Sequence, residues 1–261
     1  MPTRCRIPST GPGKVLQALL HGARRPGSVL RTLKTGLRDI YRESVFAGSP
    51  LPEVDAGTFL GDEVEVAVRS VGSRAGNTSL LEQLVLGALV ARRQPRTLVE
   101  IGTFDGTTAL HLALNSPPDA RVFTLDLPGS DAAVASRPLA AGDAAYIADT
   151  DKLQRKYADT AVAGKVTQWL GDSATFDFAT ALQGRRIDLA FIDGAHSYEY
   201  VRSDTERLCE FLADGGVLVW HDYAAVWPGV VRWLDELHAS RPLVHIAGTA
   251  LVVDAAAAKP R

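Results

Sequence analysis

The chain has 261 residues, of which 46% are hydrophobic and 22% are charged. This composition fits one large folded α/β domain with a small appendage, and it excludes a disordered chain. The formal net charge is −2, and because the N-terminal arm is basic, the rest of the chain is acidic, which argues against a nucleic-acid partner.

The sequence shows no sign of a membrane span, a secretory signal or a cysteine-based site. No run of about eighteen apolar residues is present, and the N-terminus lacks an apolar segment followed by a small-residue cleavage site. We therefore expect a cytoplasmic protein. Cys5 and Cys209 are the only cysteines, so the sequence predicts neither a disulfide framework nor a thiolate metal site.

The N-terminal arm differs from the rest of the chain in charge. Residues 1–42 hold nine Lys or Arg residues against one acidic residue. Helical patterns occupy 15–25 and 28–46, and the second has an apolar face beside basic side chains. Such a helix packs on the domain or on a second copy in a homo-oligomer, contacts an anionic membrane, nucleic acid or an acidic substrate, or acts as a mitochondrial-type presequence. These alternatives stay open, and we assign residues 1–76 to a basic N-terminal helical extension and connector.

The connector leads into a helix with a clear start signal. Residues 49–76 are rich in proline and glycine, and only the EVEVAV run at 63–68 alternates like a strand. Ser79 and Glu82 stand at capping-box spacing before LVLGALVARR, which predicts a helix beginning after Ser79. We place the main domain at residues 77–261.

Strand and helix patterns alternate through the main domain. Residues 97–126 predict a strand, a glycine turn, a helix and a second strand ending in an acid, which is half of a nucleotide-binding βαβ unit. A helical pattern at 199–216 stops at Gly215-Gly216. Further strand patterns lie at 166–172, 187–194 and 216–222, with a pair in 242–254. The alternation predicts an α/β fold with a doubly wound, mostly parallel, seven-stranded Rossmann-like sheet.

One long segment has no strand pattern. Residues 129–160 are polar and rich in alanine, and they separate the second predicted strand from the third. Long insertions at the carboxyl edge of a parallel sheet often act as lids over a site. Tyr146 and Tyr157 either line an acceptor pocket there or pack on the surface.

The glycine turn decides which cofactor the sequence favours. It reads Gly102-Thr-Phe-Asp-Gly106 rather than G-x-G-x-x-G, so the close approach to a dinucleotide pyrophosphate is not provided and NAD is disfavoured. Glu100 precedes the turn and Asp126 ends the next strand. A carboxylate at that second position accepts hydrogen bonds from both hydroxyls of a ribose, as methyltransferases use it to hold S-adenosylmethionine. Alternatively, Glu100 only orients the backbone and Asp126 is a plain strand-end acid.

Five motifs resemble class I S-adenosylmethionine-dependent methyltransferases: VEIGTFDGTT, TLDLP, GDS (171–173), FIDGAHSY and VLVWHDY. Within that class the resemblance is to metal-dependent small-molecule O-methyltransferases of the catechol and caffeoyl-CoA type and to relatives that methylate antibiotic sugars. It covers roughly residues 77–223, and Phe104 stands where these families place an aromatic residue.

The resemblance implies a set of residues that bind S-adenosylmethionine. Asp126 is expected to bind the ribose, Leu127 to pack on the adenine, and Asp172 with Ser173 to meet the adenine edge. The full expected set is Glu100, Gly102, Thr103, Phe104, Gly106, Thr107, Asp126, Leu127, Asp172, Ser173 and Asp193.

Acids and histidines follow two predicted strands that are neighbours in such a sheet. Asp193 ends one strand and Asp222 ends the next, with His196 and His221 beside them. Carboxylate oxygens suit Mg²⁺ or another hard divalent cation. We expect either a metal held by Asp193, Asp222 and His221 or a site without metal that uses His196 and His221 as its catalytic groups.

The motif departs from the catechol-type pattern at two positions. His196 stands where that family has a catalytic lysine, and His221-Asp222 replaces an Asp-Asn pair. An imidazole with an ordinary pKa near ~6.5 would suit general-base work at neutral pH. We therefore expect His196 to deprotonate the acceptor.

The function predicted from the sequence is O-methylation of a small-molecule hydroxyl by in-line displacement. Two other classes stay open: a protein of the same fold with hydroxylase-like or aminopropyl transferase-like chemistry, and a non-catalytic binding protein directed to a membrane by its basic arm. No motif identifies the acceptor or the oligomeric state.

Overall fold

A computed structural model describes residues 49–61, 64–69, 76–129, 135–150 and 152–257. The predicted helices at 15–25 and 28–46 lie outside these residues. Residues Pro50–Arg261 form one compact unit.

The unit is built from eight strands and seven helices within the described ranges. The strands are β1 Glu53–Val54, β2 Thr97–Ile101, β3 Arg121–Asp126, β4 Val166–Leu170, β5 Ile187–Ile192, β6 Leu212–Trp220, β7 Leu243–Ile246 and β8 Val252–Asp254. The helices are α1 Ala56–Leu60, α2 Leu80–Arg93, α3 Thr107–Asn115, α4 Asp143–Thr150, α5 Phe178–Leu182, α6 Tyr198–Cys209 and α7 Pro228–His238, with a 3₁₀ turn at Ala163–Lys165.

All eight strands form one sheet in the order β1-β7-β8-β6-β5-β2-β3-β4. Only β8 runs antiparallel to its neighbours β6 and β7, so the predicted doubly wound, mostly parallel sheet is confirmed. The sheet has eight strands rather than seven because Glu53–Val54, which the sequence places in the connector, pairs in parallel with β7.

The order of the strands fixes where a ligand can bind. From the central pair β2 and β5, the chain builds outward through β3 and β4 on one side and through β6 on the other. At such a switch point the loops after the two central strands diverge and leave a crevice at their carboxyl ends.

The core lies on both sides of these central strands. All five residues of β2 are buried, and Leu98, Leu112, Val122, Phe191 and Val219 belong to one continuous apolar cluster. Each such side chain contributes about 1.5–3 kcal/mol through burial. The rigid core therefore holds the carboxyl ends of β2, β3, β5 and β6 in fixed positions.

The predicted capping box of α2 is confirmed. The Ser79 N–H donates to Glu82 Oε2 at 2.6 Å, and the Glu82 N–H donates to Ser79 Oγ at 3.3 Å. The other carboxylate oxygen of Glu82 accepts the Ala250 N–H at 2.7 Å. The cap thus ties the start of α2 to the hairpin between β7 and β8.

Two predicted elements differ from the structure. The described part of the EVEVAV run, residues 64–68, is not a strand, and the Asn115 side chain binds both the N–H and the C=O of Ala67. The helix predicted to reach Gly216 ends at Cys209 because the following residues join the sheet as β6. A Cβ on Gly216 would lie 2.6 Å from the Ile187 carbonyl oxygen, so glycine permits this close pairing.

No helix within the described ranges is both long enough and apolar enough to cross a membrane.

Candidate active site

A cleft opens at the carboxyl ends of the central strands. Its lining comes from the loops after β2, β3, β4, β5 and β6 and from the segment around α4. Ten residues of the predicted site line it: Gly102, Phe104, Asp126, Leu127, Asp172, Ser173, Asp193, His196, His221 and Asp222.

The glycine turn after β2 makes room for the cleft. Gly102 has φ of 99°, and a Cβ there would lie 1.9 Å from the Asp193 carbonyl oxygen. Phe104 adopts a positive φ of 45°, a conformation that is unfavourable for a bulky side chain by about 1–2 kcal/mol. The turn is thus held in a strained shape that brings its backbone close to the loop after β5.

Asp126 is fixed at the rim of this turn. Its Oδ2 accepts the Phe104 N–H at 3.0 Å, and both Asp126 and Leu127 line the cleft. This hydrogen bond orients the carboxylate where β3 ends. The position suits recognition of a diol by a charged acceptor.

Four residues of the expected cofactor set lie behind the cleft wall: Glu100, Thr103, Gly106 and Thr107. Glu100 is fully buried, and burial raises its pKa well above the ordinary value although a hydrogen bond from Thr124 opposes this. Thr103 pairs with Thr124 at 2.6 Å, and the Thr107 hydroxyl donates to Asp105 at 2.6 Å. These groups shape the turn from inside the protein.

Asp172 is already engaged by protein donors. Its carboxylate accepts the Ser136 N–H at 2.7 Å, the Ala174 N–H at 2.9 Å and the Tyr200 hydroxyl at 3.1 Å. Ser173, next to it, also lines the cleft. Asp172 therefore joins the inserted segment and α6 to this end of the cleft.

His196 lies between two carboxylates. Its Nδ1 is 2.6 Å from Asp143 Oδ1 and its Nε2 is 2.6 Å from Asp222 Oδ2. The ring stacks on Trp227 with centroids 3.8 Å apart. Burial alone would lower the His196 pKa, but the hydrogen bonds and charges of Asp143 and Asp222 raise it to about 9.

The pKa of His196 corrects an expectation from the sequence. An ordinary imidazole pKa near ~6.5 was expected, and that value is wrong for this geometry. At neutral pH the ring is protonated while both carboxylates hold it. It can accept a proton only after it has first lost one, and departure of a carboxylate would favour that loss by lowering the His196 pKa.

His221 forms a second link in the same cluster. Its Nδ1 lies 2.9 Å from Asp193 Oδ1 and 3.3 Å from Asp222 Oδ2, and its Nε2 lies 3.4 Å from Glu82 Oε2. Burial would lower the His221 pKa, but Asp193 and Asp222 raise it well above the ordinary value. The acids around His221 thus favour its charged form.

The pKa values of the two strand-end acids, Asp193 and Asp222, are shifted in opposite directions. Burial raises the Asp193 pKa to about 6 against the attraction of His221. Burial would also raise the Asp222 pKa, but His221 and His196 lower it well below its ordinary value. Asp222 also adopts a positive φ of 59°, the kind of backbone strain that often accompanies functional sites.

Part of this cluster fits a divalent cation. One ligand atom each from Asp193, His196 and Asp222 lie within 4.8 Å of one another. The sequence-based prediction of the metal ligands had His221 as the histidine of this set, whereas the geometry places His196 there. Two carboxylates and one imidazole are a donor set that hard or borderline divalent ions accept.

The tyrosines of the inserted segment divide between cleft and core. Tyr146 lines the cleft. Tyr157 does not: its ring packs with Ala109 and Leu110, and its hydroxyl donates to Gln168 at 3.0 Å. The interpretation of Tyr157 as a pocket residue is therefore wrong.

Three functional candidates were missed from the sequence: Asp143, Glu82 and Tyr200. Glu82 was visible only as a helix cap, although the same carboxylate also faces His221. Asp143 lies in a polar insertion whose course no local pattern predicts. Tyr200 follows the FIDGAHSY motif by two residues, and this was its only signal.

Asp204 is a buried acid close to the cleft. Neither of its carboxylate oxygens has a hydrogen-bond partner within the described part of the chain. Burial raises its pKa to about 7, although the nearby Ser173 side chain favours the charged form. A charged Asp204 carboxylate is therefore less favourable in the folded state than in the unfolded state, and it lowers the free energy of unfolding once the pH exceeds the unfolded pKa.

We expect Asp204→Asn to flatten the pH dependence of stability. Because the folded pKa exceeds the unfolded one, the folded state binds the proton more tightly, and stability is lost as pH rises from the unfolded pKa toward 7. The wild type should lose on the order of 2 kcal/mol between pH 5 and pH 7 from this group. Urea titrations at both pH values measure the difference, and equal losses in wild type and variant would contradict the assignment.

Comparisons with known proteins agree with this geometry. Residues 99–223 match the model of a family described as a methyltransferase domain. The match contains the glycine turn, Asp126, the Asp172–Ser173 pair and the acid–histidine cluster. Residues 99–223 are therefore similar in sequence to a methyltransferase domain.

The chain also resembles individual proteins. It is 28% identical over 160 residues to catechol O-methyltransferase B of Danio rerio, which covers 60% of this chain and 53% of that protein. The chain thus spans about half the length of this curated relative.

Solved structures give partial overlays on this chain. The Streptomyces achromogenes O-methyltransferase TomG, involved in tomaymycin synthesis and solved with SAM, is 22% identical, covers 68% of this chain and 79% of its own, and has a TM-score of 0.46. A Bacillus cereus O-methyltransferase solved with SAH is 18% identical, with 69% and 82% coverage and a TM-score of 0.47. At these values the overlays set no constraint on substrate or chemistry.

Proposed function

We propose that this protein transfers a methyl group from S-adenosylmethionine to a hydroxyl group of a small molecule. The observation that carries the proposal is the placement of Asp126 and the His196–Asp222 pair on one cleft of a methyltransferase domain. Such a cleft holds a diol-bearing cofactor at one end and has proton-transfer groups at the other. The resemblance to O-methyltransferases favours oxygen as the acceptor atom.

The residues present fit S-adenosylmethionine, whose sulfonium supplies an electrophilic methyl group. Asp126 would accept the ribose hydroxyls, Leu127 would pack on the adenine, and the open space over Gly102 would admit the cofactor beside the backbone. Carboxyl groups of Asp193 and Asp222 line the same cleft, and their negative charge suits a cationic ligand.

In this proposal, His196 is the base that removes the proton from the hydroxyl group of the acceptor molecule. While Asp222 accepts from Nε2, the ring carries a proton there, so Nε2 has to lose this proton to Asp222 or to solvent before His196 can act as a base. Asp143 keeps the proton on Nδ1 and leaves Nε2 directed to the rim. The remaining acceleration comes from alignment of the acceptor oxygen with the methyl group.

Asp193 and Asp222 would hold a hard divalent cation, with His196 or His221 as the nitrogen donor. Such an ion would polarise the acceptor hydroxyl and ease its deprotonation. The acids fit this role because they end neighbouring parallel strands and converge at one rim.

The test uses S-adenosylmethionine with a deuterated methyl group and a panel of phenols and glycosides, with catechol as the first probe. We expect mass spectrometry to find the labelled methyl group on an oxygen of the product. Reactions with EDTA and with added Mg²⁺ separate a metal-dependent site from one that uses histidines alone. A chain that binds the cofactor but transfers no label to any acceptor would favour other chemistry on this fold or a binding role.

Asp126→Ala is expected to weaken binding of S-adenosylhomocysteine. The variant loses an acceptor for the ribose hydroxyls, and charge-assisted hydrogen bonds of this kind are worth about 1.5–3 kcal/mol, or about 10- to 100-fold in Kd. Isothermal titration calorimetry measures the change. Asp126→Asn, which can still accept the Phe104 N–H, is the matched variant, and unchanged affinity in both would contradict the cofactor placement.

A further inference from the structure

The inserted segment crosses the cleft and contacts it at both ends. We call residues 135–150 the strap. Near its start, the Ser136 N–H donates to Asp172 Oδ2 at 2.7 Å. Near its end, the Tyr146 ring meets the Phe104 ring edge-on with centroids 6.1 Å apart. The strap therefore spans the cleft from the Ser173 side to the glycine turn.

Between these two contacts, the strap reaches the catalytic cluster through Asp143. Asp143 Oδ1 lies 2.6 Å from His196 Nδ1, and Oδ2 accepts the backbone N–H of His196 at 3.2 Å. The same Oδ2 accepts the Ala140 N–H at 2.8 Å, at the start of α4. The Asp143 residue is only 2% exposed, so this carboxylate is enclosed by the groups that it binds.

The strap also packs against Trp227, the residue that stacks on the His196 ring. Trp227 stacks on the His196 ring at an interplanar angle of 12°. A Cβ on Gly142 would lie 3.3 Å from the far edge of the Trp227 ring. The residue before Asp143 thus packs behind the indole while Asp143 itself holds the imidazole.

We propose that Asp143 is a positioning residue through which closure of the strap orients His196 for catalysis. The catalytic meaning of this inference rests on the proposed methyl transfer. A carboxylate on Nδ1 fixes the tautomer of an imidazole and directs its other nitrogen outward. With the strap open, His196 would keep Asp222 as its partner and would lose the group that sets its orientation.

This arrangement couples two structural states. If closure of the strap orients His196, then an intact His196 must stabilise the closed strap by the same free energy. The coupling can therefore be measured from either side. It requires no acceptor molecule, which separates it from the activity test.

The first experiment observes His196 directly. Proton NMR of the full chain, with and without S-adenosylhomocysteine, should show an Nδ1-bound proton that exchanges slowly because Asp143 holds it in an enclosed hydrogen bond. The His196→Gln variant assigns the signal by removing it. We expect Asp143→Asn to speed its exchange, since the amide has no negative charge and offers one acceptor oxygen to the three N–H groups that the carboxylate holds.

The second experiment observes the strap. Hydrogen exchange of the α4 amides at 147–150 should accelerate about 10- to 100-fold in Asp143→Asn, because a charge-assisted hydrogen bond to the closed state is lost. His196→Gln should accelerate the same amides by a similar factor, and the double variant should add little more.

Asp177→Asn is the matched control, because Asp177 caps the N-terminus of α5 through the Thr180 N–H and does not line the cleft. It should change neither the His196 proton nor exchange in the strap. Unchanged strap exchange in His196→Gln, or an unchanged exchange rate of the Nδ1 proton in Asp143→Asn, would overturn the inference. A wild type with both signatures but no methyl transfer would overturn the proposed function and leave the coupling standing.

Discussion

His196→Gln is expected to lower methyl transfer by about 10²- to 10⁴-fold, the range that one general acid–base group contributes. Affinity for S-adenosylhomocysteine should stay within about threefold of wild type, which corresponds to less than 1 kcal/mol. Steady-state kinetics with the acceptor found in the labelling screen and calorimetry measure the two quantities.

The separation of these effects follows from the geometry. His196 belongs to the end of the cleft formed by Asp222 and Trp227, whereas the proposed ribose contact is Asp126, on another strand. Glutamine can still donate to Asp222 in place of Nε2, but it cannot accept a proton at neutral pH. The variant therefore removes proton transfer and leaves the cofactor contacts in place.

His238→Gln is the control for the histidine substitution. His238 ends α7, and its Nδ1 accepts the Leu243 N–H at 3.1 Å, outside the residues that line the cleft. Its turnover should match wild type. Wild-type turnover in His196→Gln would show that a group other than His196 removes the hydroxyl proton of the methyl acceptor.

Gly102→Ala is expected to lower the free energy of unfolding by about 3–5 kcal/mol and to abolish cofactor binding. The added Cβ would lie 1.9 Å from the Asp193 carbonyl oxygen, and the backbone has a positive φ of 99°. Both the turn after β2 and the loop after β5 would have to move, and these two loops form the centre of the cleft. Urea unfolding and calorimetry with S-adenosylhomocysteine measure the two effects.

Gly184→Ala separates steric overlap from backbone strain. Gly184 also has a positive φ, 79°, but nothing lies within 4 Å of a Cβ placed there. This control should lose only about 1 kcal/mol, the usual effect of alanine at positive φ. Equal destabilisation of the two variants would mean that the close approach of Gly102 to Asp193 is not what requires glycine.

The alternating apolar runs were sufficient to predict most of the sheet. β2, β3 and β5 carry short buried runs bounded by turn residues, so periodicity placed them where they lie. The strand β1 was missed because two residues, Glu53–Val54, carry no periodic pattern and pair only when β7 is beside them. The end of α6 was misplaced for the same reason, since pairing with β5 overrides the local helical pattern.

Some residues of the candidate site could be predicted from the sequence, whereas others depend on the tertiary structure. Asp126, Asp193 and Asp222 could be placed together from the sequence because each ends a parallel strand, and parallel strands bring their carboxyl ends to one edge. Asp143 could not be placed, because an insertion without a periodic pattern gives no direction to its path. Glu82 was assigned to its local cap, and its approach to His221 depends on how α2 packs against the sheet.

The sequence by itself determined the alternation of strands and helices in the central βαβ units, the glycine turn and the identity of the strand-end acids, because these depend on local periodicity and on turn residues. Only the tertiary structure decided the protonation of the site. Asp143 from the strap and Asp222 from β6's end meet on the two nitrogens of His196 and raise its pKa to about 9. A pKa depends on distances between groups far apart in the chain, and these distances exist only once the strap has folded over the cleft.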